Sequence, residues 1–288
     1  MTGPGPGPGA APVQSGARDE TPPPPLVLMS DWGSGLEPRE LPTAAAANGY
    51  DGVELWWPDG RREQAELADA AATAGGALAL LVTSPAGDPH AHADEIEAQL
   101  VEIGRSGLAV DHVTLHLGRD HWGLDVHHEL AGRVVDWRRR LGNGILVELH
   151  RGRMLHSAHH SLALLAEHPE LRVTFDVSHW IVVAESMLDD QAAAVELAIE
   201  RADHIHARIG HPQGPQVTSP ETADGAIVER HFAWWERIVT RIRNEGRRPS
   251  LLAEFGPVPY APARRDGRAV VDPVVSNRWM MQEIRRSF

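Results

Sequence analysis

Three features of the sequence predict an α/β fold, a (β/α)8 TIM barrel. Eight short apolar runs alternate with Ala-rich or amphipathic stretches along the 288 residues, the number of strand–helix units that closes such a barrel. The length suits it, since one barrel takes about 250 residues. The first apolar run ends in SDWGSG, which lacks the Gly-x-Gly-x-x-Gly turn expected of the competing doubly wound sheet.

Residues 1–25 hold eight Pro and five Gly and too little apolar area to pack, so a disordered tail is expected there. A single catalytic domain is expected over 26–288. Strands are expected at 26–32 (LVLMSDW), 52–57 (GVELWW), 77–84 (ALALLVTS), 112–118 (HVTLHLG) and 144–150 (GILVELH). Three more follow at 172–180 (RVTFDVSHW), 203–208 (DHIHAR) and 250–255 (SLLAEF). Each is short, rich in Leu, Val or Ile, and bounded by turn residues. Between them RREQAELADAAATAGG, HADEIEAQLVEIGRSG and QAAAVELAIERA carry helical periodicity. Gly75, Gly107, Gly142 and Gly246 stand where helix C-caps are expected. The last helix is expected at 271–286. One connection is long, 209–228 after the seventh strand, and loops of that length are often lids or binding loops.

Composition narrows the chemistry. The chain has no cysteine, and all 27 basic side chains are arginine. Disulfides, thiolate metal sites and thiol nucleophiles are therefore excluded. So are lysine Schiff bases, lysine-bound pyridoxal phosphate and a Walker-type phosphate loop. A net charge of −13 disfavours a nucleic-acid partner, which needs a basic face. No apolar run is long enough for a membrane span. The N-terminus lacks the basic and hydrophobic regions of a signal peptide. The expectation is a cytoplasmic protein acting on a small molecule, and a homo-oligomer is compatible with it.

Barrel enzymes carry their active sites at the C-terminal ends of the strands. There the sequence places Glu54, His116, Glu148, His150, Asp176, His204, His206, Arg208 and Glu254, with His179 just beyond. Strand alternation puts Glu148 and His150 on one face, and His204, His206 and Arg208 on one face of the seventh strand. Carboxylates gathered in an apolar mouth are costly unless a positive charge sits among them. Glu148, Asp176, His206 and Glu254, from four consecutive strands, would hold one divalent ion. Three carboxylates and one imidazole suit Mn²⁺, Mg²⁺ or Co²⁺, and Zn²⁺ is admitted. Any one of these residues alone reads equally well as a capped or salt-bridged structural group.

The ordered motifs VELH, FDVSHW, HIHAR and LLAEFGP, with GVEL at 52–55, resemble the xylose isomerase-like barrels of the sugar phosphate isomerase/epimerase superfamily. The likeness covers roughly residues 26–257. It implies that Glu148, Asp176, His206 and Glu254 are metal ligands and that His179 contacts substrate. It also implies that Glu148 and Glu254 move a proton through an enediolate, with His179 and Arg208 holding the oxygen that gains charge. The implied activity is a metal-dependent sugar isomerase or epimerase. A dehydratase of the same barrel family, dehydroshikimate- or inosose-dehydratase-like, is the alternative, since it begins with the same proton abstraction.

Departures from the resemblance matter too. Xylose isomerases proper use a lysine beside the metal, and this chain has none. Ketose 3-epimerases carry a further glutamate after the strand-5 ligand, where this chain reads HRGRMLHS. Arg151 and Arg153 in that stretch suit a carboxylate or phosphate. The chain has nine Trp against two Tyr and four Phe. Trp32, Trp56, Trp57, Trp122 and Trp180 fall at strand ends and are candidates for a wall around a sugar; Trp32, Trp56 and Trp180 are singled out for substrate contact, with His116 and Arg151. Bulky residues closing the barrel top are the plain alternative. An endonuclease-like reading would recruit His116, His179 and His231, but the charge opposes it. A sugar-binding barrel without catalysis would be expected to have lost a ligand, and none of the four is missing.

Overall fold

The computed structural model describes Gly3, residues 23–142 and residues 144–288. The tail expected over 1–25 lies outside the described residues, except for Gly3 and Pro23–Pro25. Eight parallel strands close into a barrel in sequential order. They are β1 Leu26–Ser30, β2 Gly52–Trp56, β3 Ala77–Thr83, β4 His112–His116, β5 Ile145–Glu148, β6 Val173–Phe175, β7 Ala202–Ala207 and β8 Ser250–Ala253. Around them run α1 Leu41–Ala47, α2 Arg61–Ala74, α3 Pro89–Arg105, α4 Leu124–Leu141, α5 Ala158–Glu167, α6 Val177–Ala184, α7 Ala192–Arg201, α8 Gly225–Asn244 and α9 Pro273–Ser287. Closure is made by β1 against β8, with Leu26 opposite Ser250 and Met29 opposite Ala253.

Local sequence explains the element ends. Asp88-Pro89 and Asp272-Pro273 start α3 and α9: each Asp accepts an amide hydrogen bond from the first turn, from Ala91 and Val274. Proline costs nothing at that position, where its missing N–H would have no partner. Asp51 and Asp111 stand one residue ahead of β2 and β4. Each accepts the amide of a neighbouring strand, Val27 or Leu78, at 2.9 Å. These bonds tie down the N-terminal rim of the barrel.

The expected sixth strand is too long. Only Val173–Phe175 pairs, and Val177–Ala184 is helix. Asp176 ends the strand by capping that helix, accepting from the Ser178 amide. The loop expected at 209–228 ends at Asp224, where α8 begins, and it is pinned. Gln216 exchanges two hydrogen bonds with the Gly256 backbone at 3.0 and 3.1 Å, and Ile209, Gln216 and Val217 are buried.

Two apolar regions result. The large one lies between the strands' outer faces and the helices, with Leu55, Leu80, Ile96, Trp137, Trp235 and Ile238 fully or almost fully buried. Inside the barrel, Leu28, Ala79 and Leu252 pack together with Leu26 and Ala77 beside them, and Leu81 and Leu146 are buried there too. Much of the remaining interior is polar, whereas barrel interiors are usually filled by Val, Ile and Leu. Thr114 and Thr174 hydrogen-bond across it at 2.9 Å. Glu54, His204 and His206 are buried there. Among the described residues no helix is long and apolar enough to cross a membrane.

Candidate active site

The mouth of the barrel opens into a pocket of about 180 Å³. Its wall contains Glu148 from the end of β5, and Glu254 and Arg208, each one residue past a strand (β8 and β7). His116 ends β4, and Trp32 and Trp56 stand at the ends of β1 and β2. All six were expected from the sequence. His150, Ser30, Leu81 and Tyr260 complete the wall.

His206 lies just beneath, and its two ring nitrogens face different surroundings. Nε2 hydrogen-bonds to Glu54 Oε1 at 3.3 Å. The other Glu54 oxygen takes His204 Nε2 at 2.9 Å, and His204 Nδ1 meets Ser250 Oγ at 2.7 Å. This chain is buried along its whole length. With Nε2–H donated to Glu54, His206 Nδ1 presents a lone pair toward the mouth. It faces Glu254 Oε2 at 3.1 Å and Glu148 Oε1 at 3.6 Å. Among the described residues, His206 Nδ1, Glu254 Oε2 and Glu148 Oε2 are buried and make no hydrogen bond, although His116 Nε2 touches the last of these.

A lone pair held against two buried carboxylates is unfavourable unless a positive charge lies among them. Arg208 supplies part of it, 3.7 Å from Glu254 Oε2, and a second proton on the ring or a cation can supply the rest. Burial by itself lowers the pKa of His206, but Glu254, Glu54 and Glu148 outweigh it and raise the value well above the ordinary 6.5. Glu148, His206 and Glu254 each offer one ligand atom within 4.8 Å of the others. That is close enough for a divalent ion, whose donors lie at about 2.1 Å from it. Two other groups meet the same distance test, Glu54–His204–His206 and Glu148–His150–His179. The first is already hydrogen-bonded within itself.

Asp176 stands apart from this set. One of its oxygens accepts from the Ser178 amide and hydroxyl, and the other is held by the Arg208 guanidinium. Arg208 is buried, and despite that burial Asp176, then Glu254, holds its pKa above the ordinary range. It also donates to His179 Nε2 at 2.8 Å. His179, expected just beyond the sixth strand as a substrate contact, stands in the first turn of α6. It lies behind His150, ring centroids 3.9 Å apart, and does not form the pocket wall. The early end of β6 puts residues 177–184 on a helix.

Trp180, on the same helix, requires a correction. It is wholly buried in the outer core and donates its indole N–H to the Leu155 carbonyl at 2.9 Å. It cannot reach a substrate. Trp57 is likewise outside the mouth, bonded to Glu102 at 3.0 Å, and Trp122 packs on His92. Trp32 does reach the mouth, because Gly256 leaves room for it; a Cβ on Gly256 would meet the indole at 2.2 Å. Trp56 packs edge-on against His116. Arg151 lies on the rim, 4.8 Å over the Tyr260 ring.

Three residues carry more than the sequence suggested. Tyr260 meets Trp32 edge-on at 4.6 Å and takes Arg208 on its ring at 5.0 Å. Its one signal was rarity, since the chain has two tyrosines. Glu54 was visible as a strand-end carboxylate, but its partners were not. Asp31 accepts the Trp56 amide at 3.1 Å. Burial first, with Glu54 and Glu254 adding, pushes its pKa up to about 6 against that hydrogen bond. His231, weighed above as a ligand, is committed elsewhere: it accepts from the Gly210 amide and bonds the Ile227 carbonyl.

No family model and no curated protein matches the sequence. Solved structures do match. One is a 3-keto-D-glucoside 4-epimerase from E. coli, with a TM-score of 0.61 and 14% identity, covering 90% of this chain and 98% of that one. Another is a xylose isomerase domain containing protein from Salmonella typhimurium, with a TM-score of 0.59 and 15% identity, covering 91% and 97%. A third, a protein from Sinorhizobium meliloti, gives 0.52 and 15%, covering 84% and 91%. At such identities the likeness is one of fold, and the fold of this chain is that of the xylose isomerase-like barrels.

Proposed function

We propose that the chain is a divalent-metal-dependent isomerase or epimerase of a sugar-like substrate. One observation carries this: His206 Nδ1 and oxygens of Glu148 and Glu254 converge, buried, under an open pocket, with His116 against Glu148 and Arg208 3.7 Å from Glu254. Two carboxylates and one imidazole suit Mn²⁺, Mg²⁺ or Co²⁺, with Zn²⁺ admitted. Asp176 joins them only if Arg208 releases it. The fold shared with an enzyme named as an epimerase supports the same class.

A bound ion supplies electrophilic pull on a carbonyl oxygen and its neighbouring hydroxyl. The protein's own residues do the rest. Glu148 and Glu254 come from strands three apart in the ring, so their carboxylates approach the pocket from different sides. One takes the proton next to the carbonyl, and one returns it to the enediolate. Glu54 holds the ring of His206 with its Nδ1 lone pair toward the mouth. Trp32, Trp56 and Tyr260 form apolar walls that exclude water and offer faces to a sugar.

Proton exchange tests this directly. With Mn²⁺ and a panel of ketoses and keto-cyclitols in D₂O, NMR should show deuterium entering the carbon next to the carbonyl. Glu254→Gln should abolish exchange while circular dichroism stays unchanged. An active Glu254→Gln variant, or full activity after exhaustive chelation, would overturn the proposal. Loss of water from the substrate after exchange would make the enzyme a lyase instead.

A further inference from the structure

We propose that Arg151, Arg153 and Arg119 form an anion subsite on the rim of the pocket, which receives a carboxylate or phosphate group of the substrate. This deepens the isomerase proposal, and rests on it for the identity of the site. Strand β5 ends in a tight turn, in which the Arg153 amide donates to the His150 carbonyl at 3.0 Å. Gly152 makes the turn possible with a φ of +80°. His150 lines the pocket, so the arginines on either side of Gly152 spring from its edge.

Each of the three has unspent donors. Arg153 Nη1 is buried and makes no hydrogen bond among the described residues. An unpaired buried guanidinium nitrogen is costly, and an anion removes the cost. Arg151 lies over the Tyr260 ring at 4.8 Å, and a stacked guanidinium keeps its in-plane N–H groups for another partner. Arg119 donates from Nη2 to the Ser84 carbonyl at 3.1 Å. Burial first, then the like charge of Arg119, lowers the pKa of Arg153.

The surrounding charges leave the cluster without a carboxylate partner. The chain carries 40 carboxylates against 27 arginines. Some arginines on the helices find them: Arg133 pairs with Asp94 and Glu97, Arg140 with Asp136 and Glu97. Among the described residues no carboxylate lies within 4 Å of Arg119, Arg151 or Arg153. Asp120, the nearest in sequence, faces His121 instead. Arg208 cannot serve, because Asp176, Ser178 and His179 already occupy it. A guanidinium fork matches carboxylate and phosphate alike, so the class is an acidic sugar derivative: a sugar acid, a keto acid or a sugar phosphate.

The test separates this subsite from the metal site. The chelator-treated full chain is titrated calorimetrically with inorganic phosphate and, separately, with glycolate, at constant ionic strength. Saturable binding of one or both is expected, and the tighter of the two identifies the group. Arg153→Gln should weaken it roughly tenfold or more, the loss of one charge-assisted pair. Arg151→Gln, at a half-buried position where no unpaired buried nitrogen is found, should do the same with the circular dichroism spectrum retained. Mn²⁺ affinity, measured in chloride, should stay unchanged in both variants. If neither anion saturates, or both variants bind as the parent does, the subsite proposal is overturned and the metal site stands. If the parent binds anion but no metal, the isomerase proposal fails and the subsite stands.

Discussion

His206 shows how a single residue takes its role from its partners. Its Nε2 side is fixed by Glu54, which in turn is held by His204 and Ser250. A carboxylate behind a metal-binding imidazole fixes the tautomer and raises ligand basicity. Glu54→Gln keeps the size and one hydrogen bond but removes the charge. Competition with a chelating dye should show Mn²⁺ affinity weakened about 10- to 100-fold. Unchanged affinity would make Glu54 a packing group only. Glu148→Gln, one step closer, should abolish both metal binding and proton exchange, with the circular dichroism spectrum retained.

At the scale of an element, the corner between β6 and α6 is the point where sequence and structure part. The run RVTFDVSHW alternates like a strand, but its second half forms a helix because Asp176 caps it. Cap and ion pair together bind β6, α6 and β7, since Arg208 follows β7. Asp176→Asn preserves the cap acceptor and removes the charge facing a buried guanidinium. Breaking such a pair costs about 3–5 kcal/mol. The melting temperature of the chelator-treated variant should fall accordingly. If it is unchanged without metal and drops only in the metal-loaded protein, Asp176 is a metal ligand first and a counter-ion second.

For the whole molecule, buried neutral histidines set a limit on acid stability. His231 bridges α8 and the loop after β7, and burial pushes its pKa down to about 4. The unfolded chain titrates near 6.5. Below that value the unfolded chain takes up a proton that the folded chain refuses. The stability due to His231 is thus fully present above pH 6.5 and is lost as the pH falls toward 4, by about 1.4 kcal/mol per pH unit. Urea unfolding between pH 7.5 and 5 should show a slope smaller in His231→Gln than in the parent by about that amount. His92 and His160, pushed by burial to about 4, and His112 and His150, pushed to about 3, contribute to both proteins and cancel in the difference. Equal slopes in parent and variant would show that His231 is not buried neutral.

The sequence by itself determined the barrel. Eight strands were legible to within a few residues, except at β6, because apolar runs and their turns are local signals that a closed parallel sheet only has to assemble. It also placed Glu148, His206 and Glu254 at strand ends, since alternation along a strand fixes which side chains face inward. Excluding lysine and cysteine chemistry needed only the composition. The tertiary structure decided what composition and spacing do not encode. Glu54 meets its imidazole partner His204 from 150 positions away. Tyr260 reaches the mouth from an irregular loop, and Trp180 leaves it because one turn of helix redirects the side chain. Beyond the last paired residue of a strand, direction is set by caps, turns and distant partners. That is where Asp176 was drawn to Arg208 and where His179 came to stand against His150.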